Sequence, residues 1–171
     1  MSSLFGYISG ETHAFSVIET KPTYEVRSYA AGMMIEAPNE KNDAFNKLAG
    51  YIGVMAKAEN ATQTKIAMTS PVVTTNDKKM QFVLPAAITE PPAPTNEAVT
   101  VVPKGAEKAV VATYYGSWNE GTAVKKKDDL VAAAKSDGLE VDETRWEWRR
   151  HNPPWTLPWY KKNEVYVPVK S

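Results

Sequence analysis

The chain has 171 residues, 43% of them hydrophobic, and five tryptophans, a composition that excludes a disordered protein and predicts one domain. Its 20 basic and 20 acidic residues leave no net charge, which argues against a nucleic-acid binder. Cysteine is absent, which excludes disulfides, thiolate metal sites and cysteine nucleophiles. We expect a soluble cytoplasmic protein without a transmembrane segment, or an organellar one if a transit peptide precedes this sequence.

Most of the chain shows sequence patterns typical of β-strands. Residues 23–27 (TYEVR) and 145–149 (RWEWR) alternate polar and apolar side chains, as a half-buried strand does. Four more segments are rich in valine and aromatic residues and end at Gly, Pro or Asn: residues 80–84, 99–102, 109–115 and 164–169.

Two segments favour helices. In the first, apolar side chains recur at spacings of three and four and form one stripe: Ala44, Phe45, Leu48, Tyr51, Ile52 and Met55. Asn42 or Asp43 is the candidate N-cap of this helix. The second helix is predicted over about 122–137, where the apolar stripe is weaker and Gly138 provides a stop.

The order of elements predicts the fold class. Each half of the chain has strands, a helix and more strands, and the proline-rich residues 90–94 connect the halves. We predict an α+β domain in which two similar β-α-β halves form a distorted antiparallel barrel, flanked by two α-helices.

No catalytic motif is present, and the only histidines are His13 and His151. His13 lies near Glu11 in the N-terminal arm, which is too few ligands for a typical metal site. His151 precedes a proline-rich loop that carries Trp155, Trp159 and Tyr160. This loop is either a plug for one end of the barrel or a wall for a flat apolar ligand. Lys161 and Lys162 after it are either surface charges or partners for ligand carboxylates.

The chain resembles the SOUL haem-binding family. The resemblance is carried, in the family's order, by residues 22–29 (PTYEVRSY), 65–72 (KIAMTSPV), 82–85 (FVLP), 91–94 (PPAP) and 152–165 (NPPWTLPWYKKNEV). It covers residues 11–168, so the domain is expected to span 1–171 with residues 1–10 as an arm. Lys161 and Lys162 replace a common Arg-Arg pair, which keeps the charge but loses a bidentate fork.

The resemblance implies haem or another tetrapyrrole as the ligand, bound in a shallow groove between the first helix and the loop before the last strand. Carried over by position, the helix contributes Phe45, Leu48, Tyr51, Ile52 and Met55, and the loop contributes His151, Trp155, Trp159, Lys161 and Lys162. His151 is the candidate iron ligand. The expected role is non-catalytic buffering or transport by a monomer. Two alternatives remain: a tetrapyrrole-modifying enzyme that removes iron from haem, or a protein-interaction module that uses the same groove.

Overall fold

The computed structural model describes residues 2–3, 6–54, 56–152 and 156–170 of the chain, with side chains from residue 11 onward. The elements in chain order are β1 (Ser2–Ser3), β2 (Gly6–Thr12), β3 (Phe15–Thr20), β4 (Glu25–Tyr29), β5 (Gly32–Pro38), α1 (Ala44–Ile52), β6 (Met68–Ser70), β7 (Val72–Thr75), β8 (Lys79–Val83), β9 (Thr100–Lys104), β10 (Glu107–Tyr115), α2 (Glu120–Ser136), β11 (Glu147–Arg150) and β12 (Lys162–Pro168). Short 3₁₀ turns lie at Glu143–Arg145 and Pro158–Tyr160.

The chain divides into two compact units: unit 1 has residues 1–13 and 31–105, and unit 2 has residues 14–30 and 106–171. Each unit contains one α-helix and antiparallel strands, so the predicted α+β class with two helices is confirmed. The units differ from the sequence halves in two respects. Strand β9 follows the proline-rich connector in sequence but belongs to unit 1, where it pairs with β5. The β3–β4 hairpin comes from the first half but belongs to unit 2, where β4 pairs with β10.

Unit 1 contains the antiparallel strand order β7-β8-β5-β9 and a smaller sheet in which β2 pairs with β6 in parallel. Helix α1 packs its apolar stripe on one face of the larger set, where Leu48 and Ile52 meet Ile35 and Phe82 in a buried cluster. This stripe is the feature that the helical spacing predicts.

The N-cap prediction for α1 is confirmed in position, because Asp43 is the N-cap residue, but its side chain makes no capping hydrogen bond. The Asp43 carboxylate pairs with Lys47 at 3.0 Å. The side chain of Asn39 accepts a hydrogen bond from the N–H of Ala44 instead, at 3.2 Å. At the other end, the N–H of Gly53 donates to the carbonyl of Ala49 at 3.0 Å.

Unit 2 has the antiparallel strand order β3-β4-β10-β12-β11. Helix α2 covers one face, where Leu130, Val131 and Ala134 meet valines of the sheet. The helix begins two residues before the predicted range because Asn119 caps it, accepting from the N–H of Thr122 at 3.0 Å. Neither helix in the described part of the chain is long and apolar enough to cross a membrane.

Gly53 is predicted to be the glycine least able to accept a side chain. It has φ +83°, and an added Cβ would lie 3.0 Å from both Ala58 Cβ and Lys65 Cγ. Gly138 provides a matched control with φ +81° and open space around it. Both alanine substitutions should cost about 1 kcal/mol for the left-handed backbone, and Gly53→Ala should cost about 1–3 kcal/mol more for overpacking. Urea unfolding measures the difference; equal losses would show that packing around Gly53 adjusts freely.

Candidate functional site

The loop between β11 and β12 is closed at its base by two hydrogen bonds. The N–H of His151 donates to the carbonyl of Lys162 at 3.2 Å, and the N–H of Lys162 donates to the side chain of Asn152 at 2.5 Å. The two ends of the loop therefore continue the antiparallel pairing of β11 with β12, in which Arg150 lies opposite Asn163. This register brings the predicted residues His151, Lys161 and Lys162 to one end of the sheet of unit 2.

Beyond its base, the loop exposes large apolar side chains. A 3₁₀ turn at Pro158–Tyr160 is closed by the N–H of Tyr160 donating to the carbonyl of Leu157 at 2.9 Å. Leu157, Trp159 and Tyr160 are 52%, 65% and 64% exposed, and the two rings lie 6.2 Å apart. Leu157, Trp159 and Tyr160 thus present apolar side chains to solvent, with the two ring planes tilted by 52°. The role of the loop as a ligand wall stays a prediction.

A buried carboxylate forms a hydrogen bond with the ring of His151. Its Nε2 forms a hydrogen bond with the carboxylate of Glu164, and the His151 and Glu164 side chains are 14% and 2% exposed. The other oxygen of Glu164 accepts from Arg27 at 2.6 Å. Arg27 also pairs with Glu25 at 2.8 Å and donates to the hydroxyl of Tyr29 at 3.0 Å. Two strands, β4 and β12, and the loop that follows β11 therefore contribute to one chain of polar contacts.

The pKa of Glu164 reflects two opposed effects. Burial raises the pKa, but the hydrogen bond and charge of His151, together with Arg27, outweigh burial and hold it at about 2. Glu164 is therefore ionised throughout the physiological range and remains an acceptor for both neighbours.

Cations lie over aromatic rings on the α2 side of the same sheet. The Nζ of Lys161 lies 4.2 Å from the centroid of the Trp118 ring, and the guanidinium of Arg150 lies 5.0 Å from it. Lys162 pairs with Tyr115 across β10 and β12, which puts its side chain on the opposite face, the face of Glu164. The two predicted lysines therefore point to different faces of the sheet.

The predicted helix residues lie in unit 1, and most of them are core residues. Leu48, Tyr51 and Ile52 are fully buried, and the hydroxyl of Tyr51 donates to the carbonyl of Pro92 at 2.6 Å. Phe45 is 36% exposed and packs edge-on against Phe82 at 5.4 Å. Met55 and Trp155 lie outside the described residues. The binding role of all ten residues stays a prediction, and on α1 Phe45 is the member of the set that solvent reaches.

Arg27 and Glu164 received no role from the sequence, although both lie within the segments that carry the family resemblance. The alternation of side chains along β4 and β12 does indicate that these two residues are buried. Arg27 shares a strand face with Glu25 and Tyr29, and Glu164 shares one with Tyr166, while the other face carries Val26 in β4 and Val165 and Val167 in β12. A charged residue on a strand that is buried on both faces requires a partner of opposite charge.

The model of the SOUL heme-binding protein family matches residues 10–168, nearly the whole chain. The chain belongs to the SOUL family. The resemblance carried by the sequence motifs is thereby confirmed, and the family's description connects the chain with haem. No curated protein matches the sequence.

Solved structures share the fold of this SOUL protein. A hydrolase from Listeria innocua matches with TM-score 0.59 and 13% identity over 90% of this chain and 94% of its own. An uncharacterized conserved protein from the same organism matches with TM-score 0.59 and 15% identity over 88% of this chain and 93% of its own. At these identities the likeness establishes the fold alone.

The buried ion pair should make the free energy of unfolding depend on pH in the acidic range. The folded pKa of Glu164 is about 2, below the ordinary 4.5, so its contribution is present above pH 4.5 and is lost as the pH falls through 2. We expect the free energy of unfolding to fall by on the order of 3 kcal/mol between about pH 5 and pH 2 through this group. Glu164→Gln should lower stability at neutral pH by about 3–5 kcal/mol, because the buried Arg27 keeps only the more exposed Glu25 as an ionic partner, and should flatten this acid dependence.

Urea unfolding followed by tryptophan fluorescence at several pH values measures both effects. Glu25→Gln is the matched control, since it removes the more exposed partner of the same arginine and should cost less. An acid dependence that is equally steep in the wild type and in Glu164→Gln would contradict the assignment.

Proposed function

We propose that this SOUL protein is a non-catalytic binder of haem or another tetrapyrrole, which it buffers or carries. The observation that supports this best is the exposed aromatic surface of the loop, with His151 and two lysines at its base, in a chain whose family is described as heme-binding. A shallow, exposed surface suits exchange of a ligand better than permanent retention. A cytoplasmic or organellar location is part of the proposal, since a chain without cysteine needs no oxidising compartment.

Apolar contact would supply most of the affinity. A flat macrocycle lying on Trp159 removes apolar surface from water on both sides, worth about 25 cal/mol per Å² before the costs of association. Lys161 and Lys162 would pair with the carboxylates at the rim of the ligand, and such exposed pairs add at most about 1 kcal/mol each. The lysines therefore orient the ligand more than they hold it.

The helix would contribute through the side chain that solvent reaches. Phe45 is the proposed contact, and the buried Leu48, Tyr51 and Ile52 would support it from the core and keep α1 in place. Met55 and Trp155 complete the proposed set.

His151 is suited to ligate iron through one nitrogen only. A histidine that binds a metal commonly donates its other N–H to a carboxylate, and Glu164 provides that carboxylate at Nε2. The lone pair that remains is on Nδ1. Ligation through Nε2 would break the bond to Glu164 and leave its buried charge with Arg27 alone. Bound haem would supply the iron, and His151, held by Glu164, would supply a nitrogen ligand to it.

Trp159→Ala should weaken the binding of metal-free protoporphyrin IX by about tenfold, because it removes an indole of the proposed surface that is 65% exposed. Tryptophan quenching during a porphyrin titration measures the dissociation constant. Ile18→Ala is the matched control, since Ile18 is an exposed apolar side chain of unit 2 on β3, away from the loop. Binding that is unchanged in Trp159→Ala, or that never saturates in the wild type, would contradict the proposal.

Iron ligation is tested separately from binding. His151→Ala should shift the Soret band of bound haemin, while its affinity for metal-free protoporphyrin IX stays within a few fold of wild type. His151→Gln is the informative partner variant, because its amide can still donate to Glu164 but cannot replace imidazole at iron. If haemin has the same spectrum in all three proteins, His151 is not the ligand, whether or not porphyrin binds.

A further inference from the structure

One end of unit 2 carries an unusual concentration of exposed apolar side chains. We call this region the loop end and define it by the side chains Tyr115, Leu157, Trp159, Tyr160, Lys161 and Lys162. Among the residues whose exposure the structure describes, Trp159, Tyr160, Tyr115 and Leu157 are the four most exposed large apolar side chains, at 65%, 64%, 63% and 52%. A contiguous exposed patch of this kind marks an interaction surface.

The backbone brings these side chains to the same end of the sheet. Tyr115 is the last residue of β10 and pairs with Lys162, the first residue of β12. Directly after Tyr115, the N–H of Gly116 donates to the carbonyl of Lys161 at 3.0 Å. The 3₁₀ turn with Trp159 and Tyr160 immediately precedes Lys161 along the chain. The patch is therefore attached to the ends of two central strands.

Lysines lie beside the aromatic side chains of the loop end: Lys161 follows Tyr160 in the chain, and Lys162 pairs with Tyr115. Lys161 lies over Trp118, and Lys126 of α2 lies over the ring of Tyr114 with its Nζ 5.6 Å from the centroid. In the part of the chain that the structure describes, no ion pair with a carboxylate is formed by Lys126, Lys161 or Lys162. Glu120 at the start of α2 is an exposed carboxylate near this end, so the three lysines leave an excess of positive charge.

We infer that the loop end docks the protein on the surface of a lipid bilayer that contains anionic lipids. Tryptophan and tyrosine combine an apolar ring with one polar group, which suits the boundary between head groups and acyl chains. Lysines can keep their charge at the head groups while their stems cover apolar surface. Because the chain as a whole has no net charge, attraction to an anionic surface must come from a local excess such as this one.

The lysines favour a bilayer over a protein as the occupant. Interfaces between proteins are enriched in aromatic residues but depleted in lysine, because a buried ammonium loses its hydration. At a membrane surface the ammonium stays hydrated beside anionic head groups, and each lysine strengthens binding by about fivefold. The inference does not depend on tetrapyrrole binding and is measured without any porphyrin.

Sedimentation with vesicles tests the inference on the full chain. We expect the protein to sediment with phosphatidylcholine vesicles that contain one third phosphatidylglycerol, and much less with phosphatidylcholine alone. The binding should weaken as salt screens the lysines. A blue shift of tryptophan fluorescence with the anionic vesicles should accompany it, because Trp159 leaves water.

Two variants separate the apolar and the charged contribution. The double variant Trp159→Ala/Tyr160→Ala should reduce vesicle binding at least tenfold, and Lys126→Glu should reduce it by about fivefold or more. Ile18→Ala and Lys41→Glu are the matched controls, since both side chains are exposed elsewhere and should leave binding unchanged. Circular dichroism checks that the variants are folded.

Three outcomes would overturn the inference. The first is a failure of the wild type to sediment with anionic vesicles. The second is equal binding by the wild type and the Trp159→Ala/Tyr160→Ala double variant. The third is sedimentation of the protein without vesicles, which would assign the loop end to contact between copies of this chain.

Discussion

The ion pair between Arg27 and Glu164 is the contact on which the arrangement of unit 2 depends most. The two residues come from β4 and β12, which lie on either side of β10. A buried charge pair stabilises a protein only modestly compared with an apolar replacement, but losing one partner is costly. The pair therefore acts chiefly as a constraint on register. A slip of either strand by one residue would turn one charge to the apolar face that packs against α2.

That constraint extends to the loop through His151. Because Glu164 accepts from both Arg27 and His151, the first residue of the loop is connected to a buried ion pair of the unit. The hydrogen bonds between His151, Asn152 and Lys162 then close the base of the loop. A loop with a rigid base can keep its aromatic side chains exposed. If the base were loose, these side chains could fold back onto the sheet and become buried.

The fold could be predicted largely from local patterns, since strand alternation and the helix stripe each report which face of an element is buried. The side chain that accepts from the first turn of α1 could not, because Asn39 reaches Ala44 only after the preceding turn has formed. The place of the β3–β4 hairpin in unit 2 is likewise a long-range property, set by its pairing with β10.

At the site, the aromatic loop was recognisable from composition. The partnership of Arg27 with Glu164 joins residues far apart in sequence, and no local pattern specifies which carboxylate a buried arginine meets.

The chain has no net charge, but its positive and negative side chains are unevenly distributed within unit 2. Glu25, Glu164 and Glu147 pair with two buried arginines, Arg27 and Arg149, so these three carboxylates add no net charge to the surface. The lysines at the loop end have no such partners among the described residues and stay at the surface. A charge count alone would exclude attraction to any anionic surface, whereas the distribution concentrates positive charge where the largest exposed rings lie. The apolar rings and the lysines at the loop end therefore favour the same class of ligand, one that is flat or extended, apolar and edged with negative charge.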